Sequence, residues 1–134
     1  MSSSAGIIII GDEILSGRTK DTNINWLANE LNQMGIHLKE ARVIEDDKKT
    51  IINTVLEFSK KFTYVFTSGG IGPTHDDITT ESIATAFKVD LEKNKIAMNL
   101  LKKHYEKSNI DFNEARQKMA IIPKGASLID NPVS

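Results

Sequence analysis

Phe62-Thr63-Tyr64-Val65-Phe66-Thr67-Ser68-Gly69-Gly70-Ile71-Gly72-Pro73-Thr74-His75-Asp76-Asp77 is the stretch whose reading decides the fold class. Its first six residues are aromatic, β-branched and apolar, the pattern of a strand. They open into glycines and then into a helix expected to begin near Thr79. A strand that ends in a glycine turn before a helix is how α/β proteins hold phosphates, because backbone N–H groups and the positive end of the helix dipole then face one anion. The plainer alternative is a tight strand-to-helix turn with Thr79 as N-cap and the aspartates near the helix dipole. Known nucleotide fingerprints fit poorly. Gly70-x-Gly72 lacks the third glycine of the dinucleotide pattern, and no Gly-Lys-Ser/Thr closes the loop as a P-loop requires.

Upstream, Ala5-Gly6-Ile7-Ile8-Ile9-Ile10 reads as a strand buried on both faces, the kind found inside a parallel sheet, and it ends in Gly11-Asp12-Glu13. Ile24, Leu27, Leu31 and Met34 recur at helical spacing ahead of Gly35, so residues 22–34 are expected to be helical. Trp26 is expected to pack near this helix. His37 to Ile44 reads as a second strand, and Ile51, Ile52, Val55, Leu56, Ser59 and Phe62 mark a second helix. Strand, helix, strand, helix, strand implies α/β architecture with a mostly parallel sheet and helices on both faces. Downstream, Glu81 to Phe87 and Asn94 to Lys107 read as helices, the second with Ile96, Leu100 and Leu101 inward. Ala115 to Met119 reads as a helical turn, and Ala120-Ile121-Ile122-Pro123 as a short strand stopped by proline.

The chain has 134 residues, the size of one domain with one core. Its 40% hydrophobic and 26% charged content are those of a soluble globular protein, and no apolar run approaches the roughly 18 residues of a membrane span. Seventeen basic and eighteen acidic residues without blocks of one sign argue against nonspecific nucleic-acid or membrane binding. The absence of cysteine excludes disulfides, thiolate zinc sites and a cysteine nucleophile. Met1-Ser2-Ser3-Ser4 is too short and polar for a signal peptide, so a cytoplasmic setting is expected. The segment Leu128 to Ser134 is extended and turn-rich, and the single domain of residues 1–134 reads as truncated at its C-terminal end.

In open parallel sheets, ligands collect at the carboxyl ends of strands. The loops Gly11-Asp12-Glu13 and Gly69 to Asp77 should therefore face one cleft, with Asp21-Thr22-Asn23 at its edge. Asp12, Glu13, Asp21, Asp76 and Asp77 around glycine-lined donors favour a hard divalent cation, with Asp76, Asp77 and Asp12 as its candidate ligands. Gly11, Asp12, Ser68, Gly69, Gly70, Gly72, Thr74 and His75 are candidates for holding phosphate or nucleotide. Asp21 equally suits the N-cap of its helix. Asp12 and Glu13 also read as a plain turn, with Ile14 and Leu15 packing beneath it.

Gly11-Asp12-Glu13-Ile14-Leu15, Gly17, Asp21-Thr22-Asn23, the run from Gly69 to Thr79, and Pro123-Lys124-Gly125 together resemble the molybdopterin-binding domain family over nearly the whole chain. The likeness is greatest to the CinA amino-terminal branch and to the amino-terminal domain of eukaryotic FAD synthases. This resemblance implies a three-layer α/β/α sandwich, a homo-oligomer (trimer or dimer), and a phosphate cleft at the glycine loop. The two aspartates used by molybdenum cofactor enzymes of the family map onto Asp21 and Asp77. Their usual arginine before the second aspartate is here Asp76, a charge reversal that disfavours adenylyl transfer to molybdopterin and suits a metal-dependent hydrolase.

The resemblance further implies hydrolysis of FAD to FMN and AMP, or of ADP-ribose, with Mg²⁺, Mn²⁺ or Co²⁺ and K⁺. Asp21, Asp76 and Asp77 would be catalytic. The ligand expected is a small dinucleotide or a phosphorylated pterin. The alternative is a non-catalytic nucleotide- or molybdopterin-binding regulatory module of a larger FAD synthase-like protein.

Overall fold

The computed structural model describes residues 3–129. The expectations for Met1 and Ser2, and for the end of the Leu128–Ser134 segment from Asp130 onward, lie outside the described residues.

Strand β1, Ser4–Ile10, is the middle of a three-stranded parallel sheet of order β2-β1-β3, with β2 at His37–Ile44 and β3 at Tyr64–Ser68. Ile7 to Ile10 are all buried, as a run without alternation requires of a strand covered on both faces. Successive side chains point to opposite faces. Ile8 and Ile10 join Ile51, Val55 and Phe58 of helix α3, Lys48–Lys61, in the main core. Ile7 and Ile9 take the other face. The helix on β2 is α2, Asn23–Gln33, preceded by the single turn α1, Asp12–Leu15.

Phe58 and Phe62 meet edge to face at 5.2 Å over Gly6, where a Cβ would come within 2.6 Å of the Phe62 ring. Across this edge of the core, Arg42 lies 4.9 Å from the Phe58 ring and pairs with Glu40 and Glu57, while Lys61 pairs with Glu40 at 2.9 Å. Lys61 and Arg42 together hold the Glu40 carboxyl below its ordinary range, and Arg42 does so for Glu57.

Helix α4, Thr79–Ala86, follows the glycine loop and packs on α3. The remaining segments form a second unit of structure. Strand β4, Leu91–Lys93, pairs antiparallel with β5, Ile121–Pro123, and between them lie α5, Lys95–Lys107, α6, Glu114–Gln117, and a 3-10 turn, Lys118–Ala120. Side-chain caps start three of the helices. Asp47 accepts from the Thr50 amide at 3.0 Å, Asn94 from Ala97 at 2.9 Å, and Asn113 from Arg116 at 3.0 Å.

Four expectations are corrected. Trp26 is 64% exposed on α2 and does not pack there. Ile96 and Leu100, read as inward on α5, are 65% and 50% exposed, and Ala97 is the buried residue of that helix. Leu15 is 56% exposed instead of packing under its loop. Ser59 is exposed, and Phe58 takes the buried place on α3 because its ring fills the space above Gly6. Strand β4 has no counterpart in the sequence reading.

Candidate functional site

Gly69 and Gly70 make the turn out of β3, with φ of 99° and 68°. These left-handed values are costly for any residue with a Cβ. Space forbids one as well: a Cβ at Gly69 would overlap the Ile10 carbonyl oxygen, and one at Gly70 would overlap the Thr79 hydroxyl. The loop therefore lies directly on the ends of β1 and α4. Thr79 is not the N-cap, which is Ile78. It is the first residue of α4, fully buried, and its hydroxyl donates to the Gly69 carbonyl at 2.9 Å while its amide donates to Gly70 at 3.0 Å.

Beyond Gly72, the turn Thr74-His75-Asp76-Asp77 is closed on itself. The Asp77 amide donates to the Thr74 carbonyl at 3.2 Å, and the Thr74 amide and hydroxyl donate to the Asp77 carboxylate at 2.9 and 2.8 Å. Burial pushes the Asp77 carboxyl up, but hydrogen bonds from Thr74 and the Gly72 amide, with the charge of Lys118 nearby, outweigh it and hold the group below its ordinary range. Asp76 and His75 are exposed and pair with each other at 3.2 Å. The adjacent carboxylates of Asp76 and Asp77 thus have separate partners.

The loop after β1 is tied to the loop after β2, not only to the glycine loop. The Asp12 amide donates to Asp46 at 3.3 Å and the Asp46 amide donates to Asp12 at 3.1 Å. Asp46 faces Gly70, where a Cβ would stand 3.6 Å from its carboxylate. Burial raises the Asp46 pKa, and the charges of Asp12, Glu13 and Asp77 add to the rise against the opposing Asp12 amide bond. The Glu13 carboxylate folds back over Gly11. The N-cap of α2 is Thr22 and not Asp21, which sits one residue earlier and whose carboxylate accepts from the Ile24 amide at 3.0 Å, and Asn23 donates to the Ser68 hydroxyl at 2.7 Å. The three loops at the carboxyl ends of β1, β2 and β3 thus converge.

Two residues of this site escaped the sequence reading. Asp46 stands just past the end of β2, and the positional argument that selected Asp12 and Ser68 applies equally to it. Lys118 carries no such signal. Its Nζ donates to the carbonyls of Thr74 at 2.5 Å and Asp77 at 2.6 Å from more than forty positions downstream.

Among the described residues, no group of three His, Cys, Asp or Glu converges as a metal ligand set. The acidic rim does not fit an all-protein cage. Its raised, crowded Asp46 and the adjoining Asp12 do fit a magnesium-type ion, which takes one or two carboxylates and completes its shell with water and phosphate oxygens. No helix among the described residues is long and apolar enough to cross a membrane.

The family described as "Probable molybdopterin binding domain" matches residues 6–131. A protein of Sulfurisphaera tokodaii is 40% identical over 128 residues, covering 95% of this chain and 49% of its own length. A CinA-like protein of Prochlorococcus marinus is 34% identical, covering 98% of this chain and 31% of its own. The chain therefore spans about half the length, or less, of these relatives. Among solved structures, the protein CinA from Thermoplasma acidophilum superposes with a TM-score of 0.90 at 35% identity, over 99% of this chain and 78% of that one. The tungsten cofactor synthesizing protein MoaB from Pyrococcus furiosus superposes at 0.59 with 28% identity, over 79% and 64%. A glycine loop seated on a central parallel strand, and sequence likeness across 95% or more of the chain, lead to one conclusion: the chain belongs to the molybdopterin-binding domain family, within which it is CinA-like.

Proposed function

We propose that this domain is a metal-dependent nucleotide pyrophosphatase acting on FAD or ADP-ribose. The observation that carries the reading is the polarity of the glycine loop. The carbonyls of Gly69, Gly70, Thr74 and Asp77 all accept internal hydrogen bonds, and the Gly72, Thr74 and Asp77 amides donate within the loop, so the amides of Gly70 and Ile71, which have no internal acceptor among the described residues, are the ones left for a ligand. Amides so arranged suit a diphosphate, and the carboxylates of Asp12 and Asp46 beside them call for a cation between. Asp12 and Asp46 would hold a divalent ion, which would supply charge neutralisation for the diphosphate and activation of water. Asp76, open to solvent at the loop tip, is a further ligand candidate, and Asp21 orients the first turn of α2 toward Ser68. Water adds across the P–O–P bridge, so FAD would yield FMN and AMP, and ADP-ribose would yield ribose 5-phosphate and AMP.

The internal use of Asp77 favours a second reading. A carboxylate bonded to its own loop shapes that loop, and a shaped loop serves a binding module as well as an enzyme. Incubation with FAD or ADP-ribose, Mg²⁺, Mn²⁺ or Co²⁺ and K⁺, with AMP followed by chromatography, separates the two. The enzyme reading expects metal-dependent AMP that is lost in Asp77→Ala and Asp12→Asn. Saturable ADP-ribose binding with no AMP from either substrate would replace it with the binding module.

A further inference from the structure

We propose that Lys118 is a positioning residue that fixes the Thr74–Asp77 turn in the shape that presents the glycine loop to its ligand. The Lys118 ammonium lies on this turn. Both its partners are backbone carbonyls of one turn, Thr74 and Asp77, and the Thr74 carbonyl already closes that turn by accepting from the Asp77 amide. A charge-assisted donor there strengthens the turn from outside it.

Holding a lysine still normally costs side-chain entropy, which an exposed lysine seldom recovers. Lys118 is differently placed. Its side chain is half-buried along a cavity of about 150 Å³ between the loop and the β4–β5 ribbon, which Gly72, Asp77, Glu81, Met119 and Ile121 also line. Its backbone is anchored on both sides: Asn113 caps the preceding α6, and the following Ala120 is fully buried, its carbonyl accepting from the Asn94 amide at 2.8 Å. The ammonium therefore projects from a rigid turn onto the loop. One consequence is that the β4–β5 unit sets the geometry of a loop that belongs to the parallel sheet.

That the loop's ligand is a diphosphate rests on the function proposed above. The positioning role does not, and the test is chosen to keep the two apart. Amide hydrogen exchange on the ligand-free 134-residue chain is compared among wild type, Lys118→Met and Lys118→Arg, with β1 amides as the internal reference. Exchange over residues 71–78 should rise about tenfold or more in Lys118→Met, which removes two hydrogen bonds from a charged group, with β1 unchanged and Lys118→Arg restoring most of the protection.

In the same variants, ADP-ribose should dissociate more readily in Lys118→Met, and any turnover should show a raised KM before a changed kcat. Unaltered exchange over residues 71–78 in Lys118→Met would overturn the proposal. So would an equal rise through β1, which would make Lys118 a contributor to global stability. Normal ligand-free exchange with lost ADP-ribose affinity would overturn it as well, in favour of direct ligand contact. Absence of AMP from every variant, with the exchange pattern as expected, would remove the pyrophosphatase reading and leave the positioning role standing.

Discussion

The β1–α3 core and the glycine loop meet at one residue and are held by opposite means. The Ile10 side chain is buried in the core with Ile8, Ile51 and Phe58, while its carbonyl is the surface on which Gly69 lies. The core is specified by volume, where any side chain of the right size and apolarity contributes. The loop is specified by missing atoms and by hydrogen bonds: two left-handed glycines, buried Thr79, and a turn closed by Asp77 and Lys118. Stability therefore resides chiefly in the first region, and the ligand recognition proposed above in the second.

The largest expected effect tests the core side of this contrast. Phe58→Ala removes a fully buried ring that packs on Gly6 and Phe62, and should cost about 3–5 kcal/mol in urea unfolding. The fraction still folded should bind ADP-ribose as wild type does. Weaker binding per folded molecule would show the two regions to be one unit.

Gly69→Ala tests the other side, with a smaller effect on stability. A methyl group there meets the backbone of β1, which cannot swing aside as a side chain would, and the backbone conformation adds strain of about 1–3 kcal/mol. Folding should survive, while ADP-ribose binding measured by calorimetry is lost. Retained affinity would break the claim that missing atoms define the loop.

The smallest effect comes from the ion pairs along the edge of the core. Glu40 and Glu57 have lowered pKa values, so the stability they contribute is fully present above the ordinary glutamate range and is lost as pH falls through the lowered values. Glu57 is exposed and Glu40 half-buried at the surface, so solvent screens both, the loss should be slight, and it should shrink further in 1 M salt. Comparing urea midpoints of wild type and Glu40→Gln from pH 6 to pH 3 isolates it. The wild type should lose its advantage over the variant at the acid end, and an advantage that grows with acidification would contradict the assignment.

Legibility in the sequence follows the same division. Four consecutive isoleucines admit little but a strand covered on both faces, and the spacing of Ile24, Leu27 and Leu31 placed α2 within a residue of its observed ends. The glycine loop was legible because its chemistry is local. Where the partner is distant, the reading stopped. Strand β4 is three exposed residues whose structure comes from pairing with β5, thirty positions away, so no pattern of its own announces it. Lys118 was invisible for the same reason. Asp46 is legible in principle, but the sequence reading places only the loops after the first and third strands at the cleft. The apolar residues misplaced inward on α5, Ile96 and Leu100, show that helical spacing identifies a stripe without saying whether the domain itself covers it.

Placing the central strand ahead of both its neighbours in sequence also has a consequence for synthesis. β1 leaves the ribosome before either neighbour exists, and its pairing with β3 cannot finish until Ser68 has been made. That interval is roughly 60 residues, or about 3–12 s at roughly 5–20 residues per second. During it, Ile7-Ile8-Ile9-Ile10 is an uncharged, β-prone segment with open edges, the kind that associates with others like it. Nascent chains of this protein should therefore engage holding chaperones early and release them once α3 and β3 have emerged.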